Sequence, residues 1–581
     1  MKFLRNLLAS ILGFFISLFI LVCFFLLVAV VAGGEEEVIV KQNSILELNV
    51  VKQIKDYAPK DTSPIAQALN LVGEKLSLNE ILNAIDNAQL DDNIKGISIK
   101  TNAVGAGMAQ TQAIRKKLEE FKESGKFIYA YNDVYSQKNY YLSSVADSIF
   151  LNPVGQIEFS GLSSEILYYK DFEDKYGVKM EVVRHGKYKS AVEPFLENKM
   201  SDANREQITS FLSSIWSEFT NNISKSRNIS VEQLNTIADN SEGRNADLAL
   251  KNNLIDGIIY SDQYDEKLKN VVDSKPNTIS LEDYIKSGKG RIASTSKDKI
   301  AVIYAQGEIA YGEGNEDVIG QGMINRAIKK AVKDKKVKAI VLRVNSPGGS
   351  ALASELIWRE LELAKNKKPL IVSMGNLAAS GGYYIACNAD LIVAEPTTIT
   401  GSIGVFGALP NAYELSKKMG INAEQVSTNK SAAYSLFEPM DKKFYDVTKE
   451  GVEQIYTTFV NHVAAGRKMT FEKVDAIAQG RVWSGKEALE NGLVDKLGGL
   501  QDAIDIAVQY AEIKDYRIRN FPNYKKDIKD MLNVSPFGKV NKEEIIKETI
   551  GSENYELFNQ INQFKNMEGI QARMPYILQI K

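Results

Sequence analysis

The chain opens on its strongest hydrophobic feature. Leu7 to Ala32 is a run of 26 residues without a charge. As a helix it is about 39 Å long, enough to cross a hydrocarbon core of about 30 Å with some tilt. A secretory signal's apolar region is shorter, about 7–15 residues. Small residues near its end (Ala29, Ala32, Gly33) leave a cleaved signal as the alternative. Lys2 and Arg5 precede the run and Glu35, Glu36 and Glu37 follow it. The positive-inside tendency then predicts a cytoplasmic N-terminus and the bulk of the chain outside. Beyond Glu37 the pattern becomes α/β. Strand-length apolar runs (KGISI, FIYAY, DSIFL) alternate with helical stretches such as Gln110 to Glu123. A second block repeats this with KIAVIYAQ, KAIVLRV, PLIVSMG and DLIVAEP. Between them Ser287 to Asp298 is polar and small, the composition of a linker.

The two blocks also match residue by residue. Asn132 and Ser136 correspond to Asn376 and Ser380 at an offset of 244. Asn102, Tyr140 and Asp147 correspond to Asn345, Tyr383 and Asp390 at 243, and Lys189-Ser190 to Lys430-Ser431 at 241. So small a drift points to tandem copies of one domain rather than a short-period solenoid.

Two turns of the second copy carry candidate chemistry. Asn345-Ser-Pro-Gly-Gly349 follows the strand AIVLRV, and Pro-Gly-Gly leaves backbone N–H groups uncovered. Gly375-Asn-Leu-Ala-Ala-Ser380-Gly381-Gly382 follows PLIVS, placing Ser380 at a strand-to-helix junction. That is close to a nucleophile elbow, with Ala378 in place of the first Gly of G-x-S-x-G. Read singly, the first turn is a loop and Ser380 a helix N-cap. Read together, the N–H groups of Gly349 and Gly381 can converge on one carbonyl oxygen. No phosphate-binding glycine motif occurs at either turn. In the first copy Ser136 is followed by Gln137 and Lys138, which deny a substrate close approach.

Composition narrows the base. The 581 residues include 71 Lys+Arg, 73 Asp+Glu, two His and two Cys, with a net charge of −2. That charge argues against a strongly basic nucleic-acid binder. Cys23 and Cys387 cannot build a disulfide framework or a Cys-rich zinc site. His185 and His462 leave few routes to a Ser-His-Asp triad. A lysine serves as base if burial lowers its pKa. Lys187, Lys189 and Lys430 are the candidates, and Lys189 sits among Tyr188, Ala191, Val192 and Phe195.

The turns above, with Thr400-Gly-Ser402-Ile-Gly-Val405 and Gly186-Lys-Tyr-Lys189-Ser-Ala-Val-Glu-Pro-Phe195, resemble the signal peptide peptidase A (protease IV) family in its long tandem form. The resemblance covers about residues 1–510. It implies an α/β fold of tandem Clp-protease/crotonase-like domains behind an N-terminal transmembrane helix. The expected layout is an anchor (1–34), a first domain supplying the general base (35–286), a linker (287–298), a second domain with the nucleophile (299–515) and a helical tail (516–581). In this likeness Ser380 matches the nucleophile, Lys189 the base, Ser402 a serine bonded to the lysine amine, and Gly349 and Gly381 the oxyanion positions. Lys430, at the equivalent repeat position, stays as an alternative base. The family likeness further implies no metal or cofactor, and a bowl-shaped homotetramer contacting membrane lipid. It places the protein in the bacterial cytoplasmic membrane, with the catalytic domains on the outer side and cleaved signal peptides as substrates. A crotonase-like acyl-CoA enzyme and a non-catalytic membrane scaffold are the competing readings.

Overall fold

The computed structural model describes residues 2–32, 38–59, 76–272, 276–289, 294–430, 434–524 and 570–574. An N-terminal helix, Lys2–Ala32, carries exposed apolar side chains such as Phe14, Phe15 and Phe19. Among the described residues no helix is long and apolar enough to cross a membrane. In Lys2–Ala32 the side chains are described without a break only over 9–21.

The apolar runs form parallel strands buried on both faces, the arrangement such uninterrupted runs require. In the first half these are β1 (Ser44–Leu48), β2 (Ile94–Ile99), β3 (Phe127–Tyr135) and β4 (Ser148–Ile157). After β5 (Lys179–His185) come β6 (Gly257–Ile258) and β7 (Asn277–Ser280). Six of them make a parallel sheet in the order β6-β4-β3-β2-β1-β7. The second half contributes β8 (Lys299–Gln306), β9 (Glu308–Ala310), β10 (Val318–Gly320), β11 (Val337–Ser346), β12 (Gly348–Ser350) and β13 (Leu370–Ala379). It continues with β14 (Leu391–Ala394), β15 (Ile399–Gly401), β16 (Val405–Asn411), β17 (Val482–Ser484), β18 (Lys496–Leu497) and β19 (Arg517–Phe521). Its main sheet runs β17-β15-β13-β11-β8-β19, with β14 also beside β13 and β18 beside β14.

The two main sheets repeat one plan. β3 follows β2 and β13 follows β11 in the same places, and the helices that cross between them have equal lengths. Met108–Lys122 and Ala351–Lys365, which make those crossings, are 15 residues each, and the later helices Asp202–Arg227 and Lys442–Arg467 are 26 each. Conserving polar details repeat as well. Asp147 accepts from the Ile128 N–H and Asp390 from the Leu370 N–H, both at 2.8 Å. Tyr140 and Tyr383 each donate to a buried carbonyl, of Leu254 and Leu493, at 2.9 Å. Ile340, Val341 and Leu342 on β11 are fully buried, each worth about 1.5–3 kcal/mol relative to exposure.

A third, mixed sheet joins the halves in the order β10-β9-β12-β20-β16-β5, where β20 is Ile570–Arg573. Here β5 leaves the first half and pairs antiparallel with β16 from Val405↔His185 to Asn411↔Lys179. Of the tail expected to be helical (516–581), only 516–524 and 570–574 are described, and these contain strands. β19 adds a parallel strand beside β8, and β20 lies between β12 and β16. Both are short and take their conformation from a neighbouring strand's unpaired N–H and C=O groups. Residues 525–569 lie outside the described set.

Candidate active site

β13 ends at Ala379 and the helix Gly381–Ala386 begins directly after it. Ser380 makes the turn with φ 56° and ψ −115°, a left-handed conformation that is strained for a side chain bearing a Cβ. Its N–H is held by the Gly401 carbonyl at 2.8 Å and its C=O by the Tyr384 N–H at 2.8 Å. The hydroxyl makes no capping bond. Ser136, at the same place in the first half, has φ −66° and caps its helix by accepting from the Asn139 N–H. One serine is thus an ordinary N-cap and the other an aimed hydroxyl.

Lys189 reaches this hydroxyl from the end of β5. Its Nζ lies 2.9 Å from Ser380 Oγ, 3.1 Å from Ser402 Oγ and 3.2 Å from the Ser402 carbonyl oxygen. Lys189, Ser380 and Ser402 are all fully buried. Burial pushes the Lys189 amine well below the ordinary lysine value, since desolvation penalises the charged form. The amine's bonds run to hydroxyl and carbonyl oxygens. Ser380 Oγ also lies 3.5 Å from the Gly404 carbonyl oxygen, to which its hydroxyl can donate.

Two glycines leave room for the lysine stem: Gly404, which belongs to the Thr400–Val405 motif, and Gly480, which sequence reading passes over. A Cβ at Gly480, where φ is +82°, would lie 2.6 Å from Lys189 Cβ, and one at Gly404 would lie 3.2 Å from Lys189 Cδ. Ser402 sits at φ 49° with its N–H on the Arg481 carbonyl, which turns both its oxygens toward the amine. The signal available in the sequence is only a glycine after Ala-Gln, which names no partner.

The glycine turns lie alongside. Gly348 and Gly349 have φ +99° and +152°, and a Cβ at Gly348 would sit 2.7 Å from the Gly381 nitrogen. The turns after β11 and β13 are therefore packed against each other, with no room for a side chain between them. The other sequence candidates fall elsewhere. Lys430 is exposed, lining a surface cleft with Gln425, Tyr434 and Phe444; Ser431 lies outside the described residues. His185 Nδ1 bonds Glu453 at 2.6 Å with its ring stacked on Tyr456, and His462 Nε2 bonds Glu355 at 3.0 Å with its ring on Trp358. Lys187 contacts the Tyr188 ring. Cys387 is buried, its thiol pushed up to about 12 by desolvation.

A buried serine on a strained elbow, with an amine at its oxygen and paired glycine turns beside it, is the equipment of an acyl-transfer enzyme. Residues 120–275 and 362–514 match the model of Peptidase family S49, and the chain belongs to that family of serine peptidases. It is similar to Protease 4 of Haemophilus influenzae, 40% identical over 455 residues, 75% of this chain and 74% of that one. It is also similar to the chloroplastic serine protease SPPA of Arabidopsis thaliana, 32% identical over 485 residues, 82% of this chain and 70% of that one. Among solved structures it is similar to a ClpP1 mutant from Listeria monocytogenes at 13% identity and a TM-score of 0.25, over 35% of this chain and 94% of that chain. Lys189 falls in the first matched segment, Ser380 and Ser402 in the second.

Proposed function

We propose that this peptidase is a membrane-anchored endopeptidase with a Ser380/Lys189 dyad, acting on cleaved signal peptides and other apolar peptides. The observation that carries the dyad is the 2.9 Å contact between a fully buried lysine amine and a serine oxygen on a strained elbow. Neutral Lys189 takes the proton from Ser380 Oγ as the oxygen attacks the peptide carbonyl. The Gly349 and Gly381 N–H groups stabilise the oxyanion. The amine then protonates the leaving nitrogen, and water hydrolyses the acyl-enzyme. The CoA-thioester alternative has less support, since it needs no amine at Ser380. A scaffold role gives no reason to bury a lysine amine against a serine hydroxyl.

The anchor is the helix Lys2–Ala32, supported by the 26 uncharged residues from Leu7 to Ala32 and by Lys2 and Arg5 before them. The proposed location is the bacterial cytoplasmic membrane, with the catalytic halves on its outer face and four copies assembled there. Detergent-solubilised protein that runs as a monomer in light scattering, or partitions into the aqueous phase, would overturn this part.

Two expected results test the chemistry. Labelling of Ser380 by a fluorophosphonate should rise with pH through a midpoint well below that of a free lysine. Below that midpoint the ammonium has no lone pair to offer, so the rate falls on the acid side. A rate that stays low until pH ~10, the range of an unperturbed lysine, sinks the base assignment. Ser402→Ala removes a hydrogen bond to the amine, worth about 1–1.5 kcal/mol, so kcat/KM should fall about tenfold. The acid limb of its pH profile should also shift, which a merely structural defect would not produce.

A further inference from the structure

Ser380 is fully buried, so a peptide reaches it only if something now covering it moves. The strand beside it is β20. It pairs antiparallel with β12 through Gly348↔Arg573, Gly349↔Ala572 and Ser350↔Gln571. On its other edge it pairs with β16 through Phe406↔Gln571 and Gly407↔Ile570. The Met574 N–H donates to the Pro347 carbonyl at 2.6 Å. Bonded pairs alternate in an antiparallel ladder, so 347/574 and 349/572 are the bonded ones. The Gly349 N–H therefore faces the Ala572 carbonyl. The same oxygen would lie 2.2 Å from a Cβ at Gly348 and 2.9 Å from one at Gly381. The Ala572 carbonyl thus occupies the place between the two glycine turns, and Ala572–Arg573 is the peptide bond presented there.

Resting on the peptidase reading above, we infer that residues 570–574 fill the peptide groove in substrate register, so that the chain shields its own Ser380 and displays the groove's preferences. Ala572 is fully buried, so the residue before the scissile bond must be small. Ile570, two residues earlier, meets the helix Lys442–Arg467 at Gly451, where a Cβ would lie 3.1 Å from its Cδ1. That position takes a branched aliphatic side chain. Beyond the bond, Arg573 is held by Glu308 at 3.1 Å, and Met574 packs into the first half's core. Side chains on both sides of the bond are seated, as an added strand in a peptide groove requires.

A tethered occupant lowers the apparent affinity for any other peptide by the fraction of time the groove is open. Two variants test this: a truncation ending at Gly569, and full-length Ala572→Arg, which cannot seat in the buried position and keeps the rest of the chain. The readout is the rate of fluorophosphonate labelling at Ser380, located by mass spectrometry, with kcat/KM on a fluorogenic peptide. Both variants should label and turn over about tenfold faster than the parent or more. A synthetic peptide spanning Glu568 to Tyr576 should slow the truncated enzyme competitively, and the same peptide with tryptophan in place of Ala572 should not. Equal labelling rates in parent and both variants overturn the inference. If Ser380 is labelled in none of the three, the dyad reading fails instead. If either variant is unfolded by circular dichroism, competition by the two peptides at the parent protein decides: inhibition by neither overturns the inference, and inhibition by the alanine peptide alone supports it.

Discussion

Ser380→Ala and Lys189→Ala are each expected to lower kcat/KM by about 10⁴-fold or more, and the double variant no further than either single one. In the proposed mechanism the two side chains act as one unit. The oxygen is a poor nucleophile until its proton leaves, and the amine has no other task at that position. Lys189→Met is the sharper control because it keeps most of the stem's volume against Gly404 and Gly480. It also removes a polar group from a fully buried site, so its stability should equal or exceed the parent's. A folded Lys189→Met protein that keeps activity within tenfold of the parent would remove lysine from the mechanism. Losses that multiply in the double variant would mean that the residues contribute separately. Lys430→Met, on the exposed loop, should leave kcat/KM unchanged.

These residues differ in how legible they are from the sequence. Ser380 is marked by its Gly-Gly context and by the strand-like PLIVS before it. The sheet strands are equally plain, because a parallel strand buried on both faces needs an unbroken apolar run. The repeat is visible as a constant offset, since each copy must keep the same polar fasteners, Asp147 and Asp390 among them. Lys189 is another matter. Its bond to Ser380 spans 191 residues, and nothing local in Tyr188-Lys189-Ser190 encodes that distance. It exists because β5 leaves its own half to pair with β16, a crossing decided by which edges are free. The tail strands are hidden for a related reason. Ile570-Gln-Ala-Arg573 does alternate apolar and polar residues, but over only four positions and with one β-branched residue; it becomes a strand because two edges flank it. Gly480 is illegible alone, since its role is the absence of a side chain where Lys189 passes.

Because the proposed dyad draws one residue from each half, whatever docks the halves should control its chemistry, and the largest stability effect is expected there. Asp56 from the first half and Arg343 on β11 form an ion pair at 3.1 Å, with side-chain exposures of 1% and 2%. Gln110 adds a donor to the same Asp56 oxygen, while Arg343 also donates to Ser373 Oγ and the Met374 carbonyl. Asp56→Ala leaves the guanidinium buried without its counter-charge, which costs about 3–5 kcal/mol. The urea midpoint should fall accordingly. Asp56→Ala with Arg343→Leu should recover much of that loss, since an apolar pair of suitable volume avoids desolvating either charge. Peptidase activity should separate the two effects. If the pair serves only stability, the double variant regains kcat/KM with its midpoint. If the pair also sets the register between β5 and the Ser380 elbow, the midpoint recovers while kcat stays low, because a displacement near 1 Å at the reacting atoms can cost about 10²-fold. The second outcome is expected. Gly375, at the centre of β13, would place a Cβ 2.9 Å from Asp56 Oδ2, so the carboxylate lies directly against the strand that ends in Ser380. The Gln110 backbone N–H bonds Asn376 one residue further on, at 3.1 Å, so the first half grips that strand at two successive positions.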